Sequence, residues 1–138
     1  MKICITANGS DIDSMVDPRF GRCAYFIILD DKGKLIESIS NTAGRAIRGA
    51  GITAAQLAVD NEVDIIITGN VGPNAYRALS SSGVKIFHGA FDVNVKDAFD
   101  MYKKGELEEV DSSSGFGFGP GFGRGRGPGR GFGRGLNR

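Results

Sequence analysis

The chain is poor in the residues that hold metals and in those that staple small folds. Among 138 residues it has two cysteines, Cys4 and Cys23, and one histidine, His88. Two cysteines do not make a disulfide framework, and both are expected to be free thiols that either pack or bind metal. Long apolar runs are also absent. The opening Met1-Lys2-Ile3-Cys4-Ile5-Thr6-Ala7 is too short for the core of a signal peptide, and no segment approaches a membrane span. No membrane association is expected, and the expected compartment is cytoplasmic.

What is present divides at Val110. The overall charge is +1, but residues 1–110 hold 12 Lys and Arg against 15 Asp and Glu, a balance of −3, while the remainder has a balance of +4. The acidic body argues against a broad nucleic-acid surface on the fold itself. The basic end permits salt-sensitive contact with RNA phosphates or an acidic protein. Residues 111–138 carry glycine at every odd position from Gly115 to Gly135, with Phe116, Phe118, Phe122, Phe132 and five arginines among the rest. Ordering so much glycine costs more entropy than so few apolar groups return, so this tail is expected to be a disordered coil. One folded domain, residues 1–110, is therefore predicted, with 111–138 as a separate tail.

Within the body, Lys2 to Ala7 reads as a first strand. A 16-residue polar loop, Asn8 to Cys23, leads to a second, Ala24 to Asp30. Asp31-Lys32-Gly33 signals a tight turn, so Lys34 to Ser40 should return antiparallel, with Leu35 or Ile36 and Ile39 facing inward. Ile52, Ala55 and Val59 recur at helical spacing. Val63 to Thr68 is a β-branched run followed by Gly69-Asn70-Val71-Gly72-Pro73, where proline opens a helix, Asn74 to Ser81, that Gly83 closes. Val84 to Phe87 is a short strand, and Val95, Ala98, Phe99 and Tyr102 mark a last helix that stops at Gly105. The order βββαβαβα requires crossover helices, hence an α/β fold with a mixed sheet covered on both faces. Ligands in such sheets gather at the carboxyl ends of the strands.

Three segments together carry a resemblance: Asp17-Pro18-Arg19-Phe20-Gly21-Arg22-Cys23-Ala24-Tyr25-Phe26, Gly49-Ala50-Gly51-Ile52-Thr53-Ala54-Ala55-Gln56-Leu57, and Val63-Asp64-Ile65-Ile66-Ile67-Thr68-Gly69-Asn70-Val71-Gly72-Pro73. In this order and spacing they resemble the dinitrogenase iron-molybdenum cofactor biosynthesis family, over nearly all of residues 1–105. The resemblance implies a ribonuclease-H-like α/β/α sandwich with a five-stranded mixed sheet. It also implies a non-catalytic role as carrier or chaperone of an iron-sulfur or iron-molybdenum type cluster, with cluster donor and acceptor proteins as partners. Arg19, Phe20, Gly21 and Arg22 in the first segment, and Gly69, Asn70, Gly72 and Pro73 in the third, are the cluster-binding candidates.

Chemically these residues suit an anionic cargo. Gly69 to Pro73 lets the backbone approach closely and aims helix amides at whatever binds, while also being an ordinary strand-to-helix turn. Asn70 has donors for sulfide, and Arg45 and Arg48 can add counter-charge. Cys23 stands between a loop and a strand with Arg19 and Arg22 beside it. Neighbouring positive charge lowers a thiol's pKa and favours the thiolate that iron binds, though a cysteine there can equally pack as a small hydrophobe. His88 falls at the carboxyl end of a strand, where an imidazole suits a metal ligand, a strand cap or a solvated surface. Cys4 is the poorer ligand candidate.

Other chemistries fit less well. Gly49-Ala50-Gly51-Ile52-Thr53-Ala54 imitates a dinucleotide fingerprint without following the opening strand of a βαβ unit. Gly44 to Gly49 has phosphate-loop spacing but continues Ala50-Gly51 where Lys and Ser or Thr are needed. A ribonuclease-H-like fold invites a nuclease reading, yet two-metal chemistry needs clustered carboxylates and the first strand supplies Ile3, Cys4, Ile5 and Thr6. Asp64 opens its strand at the wrong end. Asp11, Asp13 and Asp17 share the first loop and could hold a divalent ion, although acidic residues there are ordinarily solvated.

Overall fold

The computed structural model describes residues 1–41 and 50–110. Residues 111–138, expected to form the tail, lie outside the described residues, as do Arg45 and Arg48. Six strands and three helices form a mixed α/β domain: β1 (Ile3–Ala7), β2 (Tyr25–Leu29), β3 (Leu35–Ser40), α1 (Ala50–Asp60), β4 (Ile65–Ile67), α2 (Pro73–Ser81), β5 (Lys85–His88), α3 (Val95–Lys103) and β6 (Glu108–Glu109). The sheet order is β3-β2-β1-β4-β5-β6. β1 pairs antiparallel with β2 and parallel with β4, β4 pairs parallel with β5, and β6 returns antiparallel to β5.

Every residue of β1 and β4 is buried, as expected for central strands covered on both faces. Side-chain alternation then divides the core. The register aligns Ile28, Cys4, Ile66 and Ile86 across four strands, and this stripe packs under Ala54, Ala55 and Ala58 of α1 and Ala75 and Leu79 of α2. On the other face Ile3, Ile5, Ile27, Leu29, Ile65 and Ile67 meet Val95, Ala98 and Phe99 of α3. Small residues let the first pair of helices approach closely: a Cβ placed on Gly51 would stand 3.4 Å from that of Ala75.

The expected hairpin forms. Gly33 takes φ +88°, a left-handed conformation that favours glycine. The Asp30 carboxylate accepts the amides of Lys32 and Lys34, each at 2.9 Å, and these bonds hold its carboxyl below the ordinary range. Two expectations are corrected. The sheet has six strands where five were expected, because Glu108–Glu109 adds to the edge of β5, with Val110 donating its amide to Ile86 at 2.8 Å. Leu35 and Ile36 do not face inward. They are 40% and 49% exposed, because β3 is an edge strand whose register shifts opposite Ile28 and Leu29, and such a bulge turns side chains away from the face.

Helices α2 and α3 start differently, which matters for function. In α3 each first-turn amide has an acceptor: Val95 donates to Ser14 O at 2.9 Å, Lys96 to Ile12 O at 3.0 Å, and Asp97 to the Asn94 side chain at 2.8 Å. Asn94→Ala removes this cap and is expected to cost about 1 kcal/mol, measurable as a lower urea midpoint with an unchanged slope. No helix of the described residues is long and apolar enough to cross a membrane.

Candidate functional site

The sheet reverses its connections at β1 and β4, and the loops that follow these two strands meet beyond their carboxyl ends. A crevice forms at such a position in open α/β sheets. The loop after β1 runs back over the sheet through Asp17, Pro18 and Arg19 into a short 3-10 helix, Phe20–Arg22. It is joined to the loop after β4 by backbone bonds: Asn70 donates to Pro18 O at 2.7 Å and Phe20 donates to Asn70 O at 3.3 Å. Gly69 permits the approach. A Cβ there would lie 2.4 Å from Pro18 Cβ and 2.8 Å from an edge carbon of Phe91.

Between this joined pair of loops and the first turns of α1 and α2 lies a cleft of about 470 Å³, lined by Arg19, Phe20, Gly21, Ala50, Gly51, Ile52, Asn70, Val71, Gly72, Pro73, Asn74 and Ala75. Gly21 brings the 3-10 helix onto α1: its Cβ would fall 2.9 Å from both Cα and N of Gly51. The start of α2 is open. Gly72 offers no side chain as a cap, Pro73 has no N–H, and the first helical bond is Tyr76 N to Gly72 O at 2.9 Å. Among the described residues, the amides of Val71, Gly72, Asn74 and Ala75 have no protein acceptor. All four residues line the cleft, so unpaired donors and the positive end of a helix dipole gather at one wall.

Arg19 brings the charge. Its guanidinium donates from Nε to Asp17 Oδ1 at 3.1 Å and from Nη2 to Asp17 Oδ2 at 3.0 Å, and its amide donates to Oδ1 at 2.9 Å. The Arg19 side chain is 67% exposed while that of Asp17 is 4% exposed. Burial pushes the Asp17 carboxyl up, but the Arg19 hydrogen bonds outweigh it and hold the group below its ordinary range. Asp17 is itself fixed to β1. Its amide donates to Thr6 O at 3.0 Å, and its carbonyl lies 2.7 Å from Thr6 Oγ1. Thr6 Oγ1 is also 2.8 Å from Thr68 Oγ1. Having one hydroxyl proton, Thr6 donates it to Asp17 and accepts from Thr68. Thr6 and Thr68 are both fully buried.

Six of the ten expected site residues therefore converge on the cleft: Arg19, Phe20, Gly21, Asn70, Gly72 and Pro73. Gly69 shapes it from beneath, and Arg22 is not among its lining residues. Cys23 and His88 also stand outside the lining. The Cys23 thiol is 1% exposed, packed with Phe20, Phe26 and Cys4. Its Sγ donates to Phe20 O at 3.4 Å and accepts from Asn41 Nδ2 at 3.6 Å. The expected lowering of its pKa is reversed. Burial first, and then the Asp17 charge, push the thiol up to about 12, and the Arg19 guanidinium that was expected to favour thiolate is paired with Asp17. Cys4 is shifted the same way by burial and by Cys23. His88 turns its Nε2 to Glu108 Oε1 at 3.0 Å. Among the described residues no group of three His, Cys, Asp or Glu side chains is placed to hold a metal ion.

The family model described as dinitrogenase iron-molybdenum cofactor matches residues 1–105. The chain belongs to that family. An uncharacterized protein of Methanocaldococcus jannaschii is 30% identical over 102 residues, covering 72% of this chain and 86% of that protein. Among solved structures, the orange protein of Desulfovibrio gigas in its apo form is similar at a TM-score of 0.75 and 33% identity, over 79% of this chain and 92% of that one. A putative NifB protein from Thermotoga gives a TM-score of 0.67 and 38% identity, over 78% and 91% of the two chains. The cleft of this family member is thus built within the matched residues, and its walls come from all three of the sequence segments that carry the resemblance.

Sequence reasoning did not single out Ala50, Ile52, Val71, Asn74 and Ala75 of the lining, nor two further residues that shape the site, Gly51 and Asp17. Gly51 belonged to a discarded nucleotide motif, and it serves here as the surface against which Gly21 packs. Asp17 was read as a solvated loop acid. The signal available for it was its position two residues before Arg19, the spacing at which an aspartate accepts a backbone amide and folds a turn.

Proposed function

We propose that this protein binds and hands on, without catalysing a reaction, an anionic iron-sulfur or iron-molybdenum type cluster, and that the cleft between Arg19–Gly21 and Asn70–Ala75 is where the cargo sits. The observation that carries this reading is the set of four backbone amides, at Val71, Gly72, Asn74 and Ala75, that have no protein acceptor among the described residues, in a cleft also lined by Arg19, whose side chain is exposed. The contrast with α3, whose first-turn amides are all taken by the chain, gives the open start of α2 its meaning. Sulfide-rich clusters are anionic and accept hydrogen bonds at sulfur, so such a wall complements them without a covalent ligand. Family membership supports the class of cargo, and the similarity to a protein with an apo form supports a removable group.

Holding by hydrogen bonds rather than by thiolate suits a carrier, because release then requires no metal–sulfur bond to the protein to break. Cluster donor and acceptor proteins are the partners this role requires. In this reading Cys23 supports the loop from behind and His88 stays with Glu108, so neither is the main holder of the cluster.

An anaerobic titration of the metal-free protein with an iron-sulfur cluster donor, and separately with tetrathiomolybdate, tests this by absorbance. The wild type is expected to take up one of them saturably. Arg19→Gln is expected to weaken uptake by about tenfold or more, the value of one charge-assisted hydrogen bond, while Cys23→Ser stays within about twofold. Loss of uptake in Cys23→Ser with retained folding would instead make the thiol a ligand. No saturable uptake of either probe by the wild type overturns the carrier reading.

A further inference from the structure

We propose that Asp17 is a positioning residue of the cleft, a buried carboxylate that sets the Arg19 guanidinium in place as the counter-charge for an anionic thiometallate cargo. This rests on the carrier reading above and extends it to a residue that touches no cargo. A carboxylate beside an anion site is an anomaly on charge alone. Its own negative charge repels the cargo, and as a nearly buried group, 3% exposed, it has lost much of its hydration. Its geometry accounts for it.

Asp17 takes both the Nε and the Nη2 edges of Arg19, at 3.1 and 3.0 Å, in a two-point grip. A planar guanidinium held at two nitrogens cannot rotate, so the direction of its remaining Nη1 edge is fixed. Asp17 is in turn immobile, since Thr6 of β1 binds its amide and its carbonyl, and Thr6 is tied to Thr68 beyond the end of β4. The arrangement transfers the rigidity of the two central strands to the tip of a side chain that is itself 67% exposed. A free exposed arginine would lose its rotamer freedom when it bound an anion, whereas this one has lost it already. The pair keeps a formal charge near zero, so attraction to the cargo comes from where the remaining N–H groups stand.

The sign of one substitution separates positioning from mere proximity. Asp17→Asn keeps a side-chain oxygen for the Arg19 amide, and hence the turn, but puts an amide group where Nη2 needs an acceptor. If Asp17 were only a nearby negative charge, its removal would tighten anion binding. If it positions Arg19, removal weakens binding despite the gain of positive charge.

The test is an anaerobic equilibrium titration of the full chain with tetrathiomolybdate for wild type, Asp17→Asn, Arg19→Gln and the double variant. The Arg19 Nε–H resonance is followed by nitrogen-15 NMR in the absence of probe. The expected result is a five- to twentyfold weaker Kd for Asp17→Asn, no further loss in the double variant beyond Arg19→Gln, and an Arg19 Nε–H signal that is sharp in the wild type and exchange-broadened in Asp17→Asn. Equal or tighter binding by Asp17→Asn, or additive losses in the double variant, overturns the proposal and leaves the carrier reading standing. Should Asp17→Asn misfold, Asp17→Glu is the second variant: its longer side chain keeps the charge and the pairing but displaces Arg19, so weaker binding is again expected, and wild-type affinity overturns the proposal. Absence of binding by the wild type sinks both readings, and is recognised by a flat wild-type titration.

Discussion

Gly69→Ala is expected to lower the melting temperature by roughly 10–20 °C, corresponding to a loss of about 3 kcal/mol for a domain of this size. The added methyl carbon would stand 2.4 Å from Pro18 Cβ and 2.6 Å from Pro18 Cα. Relief cannot come from a swinging side chain, since proline is rigid and its carbonyl is bonded to the Asn70 amide at 2.7 Å. Nor can the loop after β4 retreat freely, because Gly69 O accepts the Gly89 amide at 3.0 Å, and Ala90 donates to Thr68 O at 3.2 Å. The strain must separate the two loops, breaking the Asn70–Pro18 and Phe20–Asn70 bonds that close the floor of the cleft. Thermal denaturation followed by far-ultraviolet circular dichroism measures the first effect, and the anaerobic titration should show uptake lost even at temperatures where the variant is folded. A Gly69→Ala protein with wild-type melting would mean that the loops are not in this contact.

The second large effect is expected from a smaller chemical change. Thr6→Val keeps the branching that suits a strand and nearly the same volume, but removes the hydroxyl between Asp17 and Thr68. The Asp17 carbonyl loses the donor 2.7 Å away and the Thr68 hydroxyl loses its acceptor at 2.8 Å, in a region where Thr6, Thr68 and Asp17 are all buried. Leaving buried polar groups unpaired costs more than the bond itself contributed, and the expected loss is about 2–3 kcal/mol. Equilibrium urea unfolding checks it. Thr6→Ser should retain most of the stability, and equal losses in Thr6→Ser and Thr6→Val would assign the effect to the methyl group instead.

The elements that local patterns announce are those that the sequence made readable. Asp31-Lys32-Gly33 formed its hairpin because the turn chemistry is contained in three residues. Gly69 to Pro73 opened a helix because proline at the first turn needs no partner elsewhere. Both core faces of β1 and β4 were readable from continuous apolar runs. What escaped depended on distant neighbours. β6 is two exposed glutamates, and only Leu107 and Val110 on either side, buried against the two faces of the sheet, mark the segment as sheet. The exposure of Leu35 and Ile36 follows from β3 having a single neighbour, which no local pattern records. The Cys23 pKa moved opposite to expectation because Arg19, four residues earlier, is committed to Asp17, and because helix α1 and strand β2 bury the thiol. Within the site, the glycine loop that acts through backbone geometry was found, whereas Gly51, the amides of Asn74 and Ala75, and the partnership of a buried acid with an exposed base were not.

The parallel pairing of β1 with β4, which sets Ile3 beside Ile65, also governs when the protein can work. The loops after β1 and β4 are brought together by that pairing, so the wall they share is assembled only after the chain has closed a loop of about sixty residues, one of the slower and less local steps available to a small domain. Local structure such as the β2–β3 hairpin can form early without creating any part of the cleft. On the proposed function, a newly made or partly opened chain would therefore have no affinity for cargo, and cargo in turn would favour the closed state by mass action. A bound cluster would then report that folding is complete.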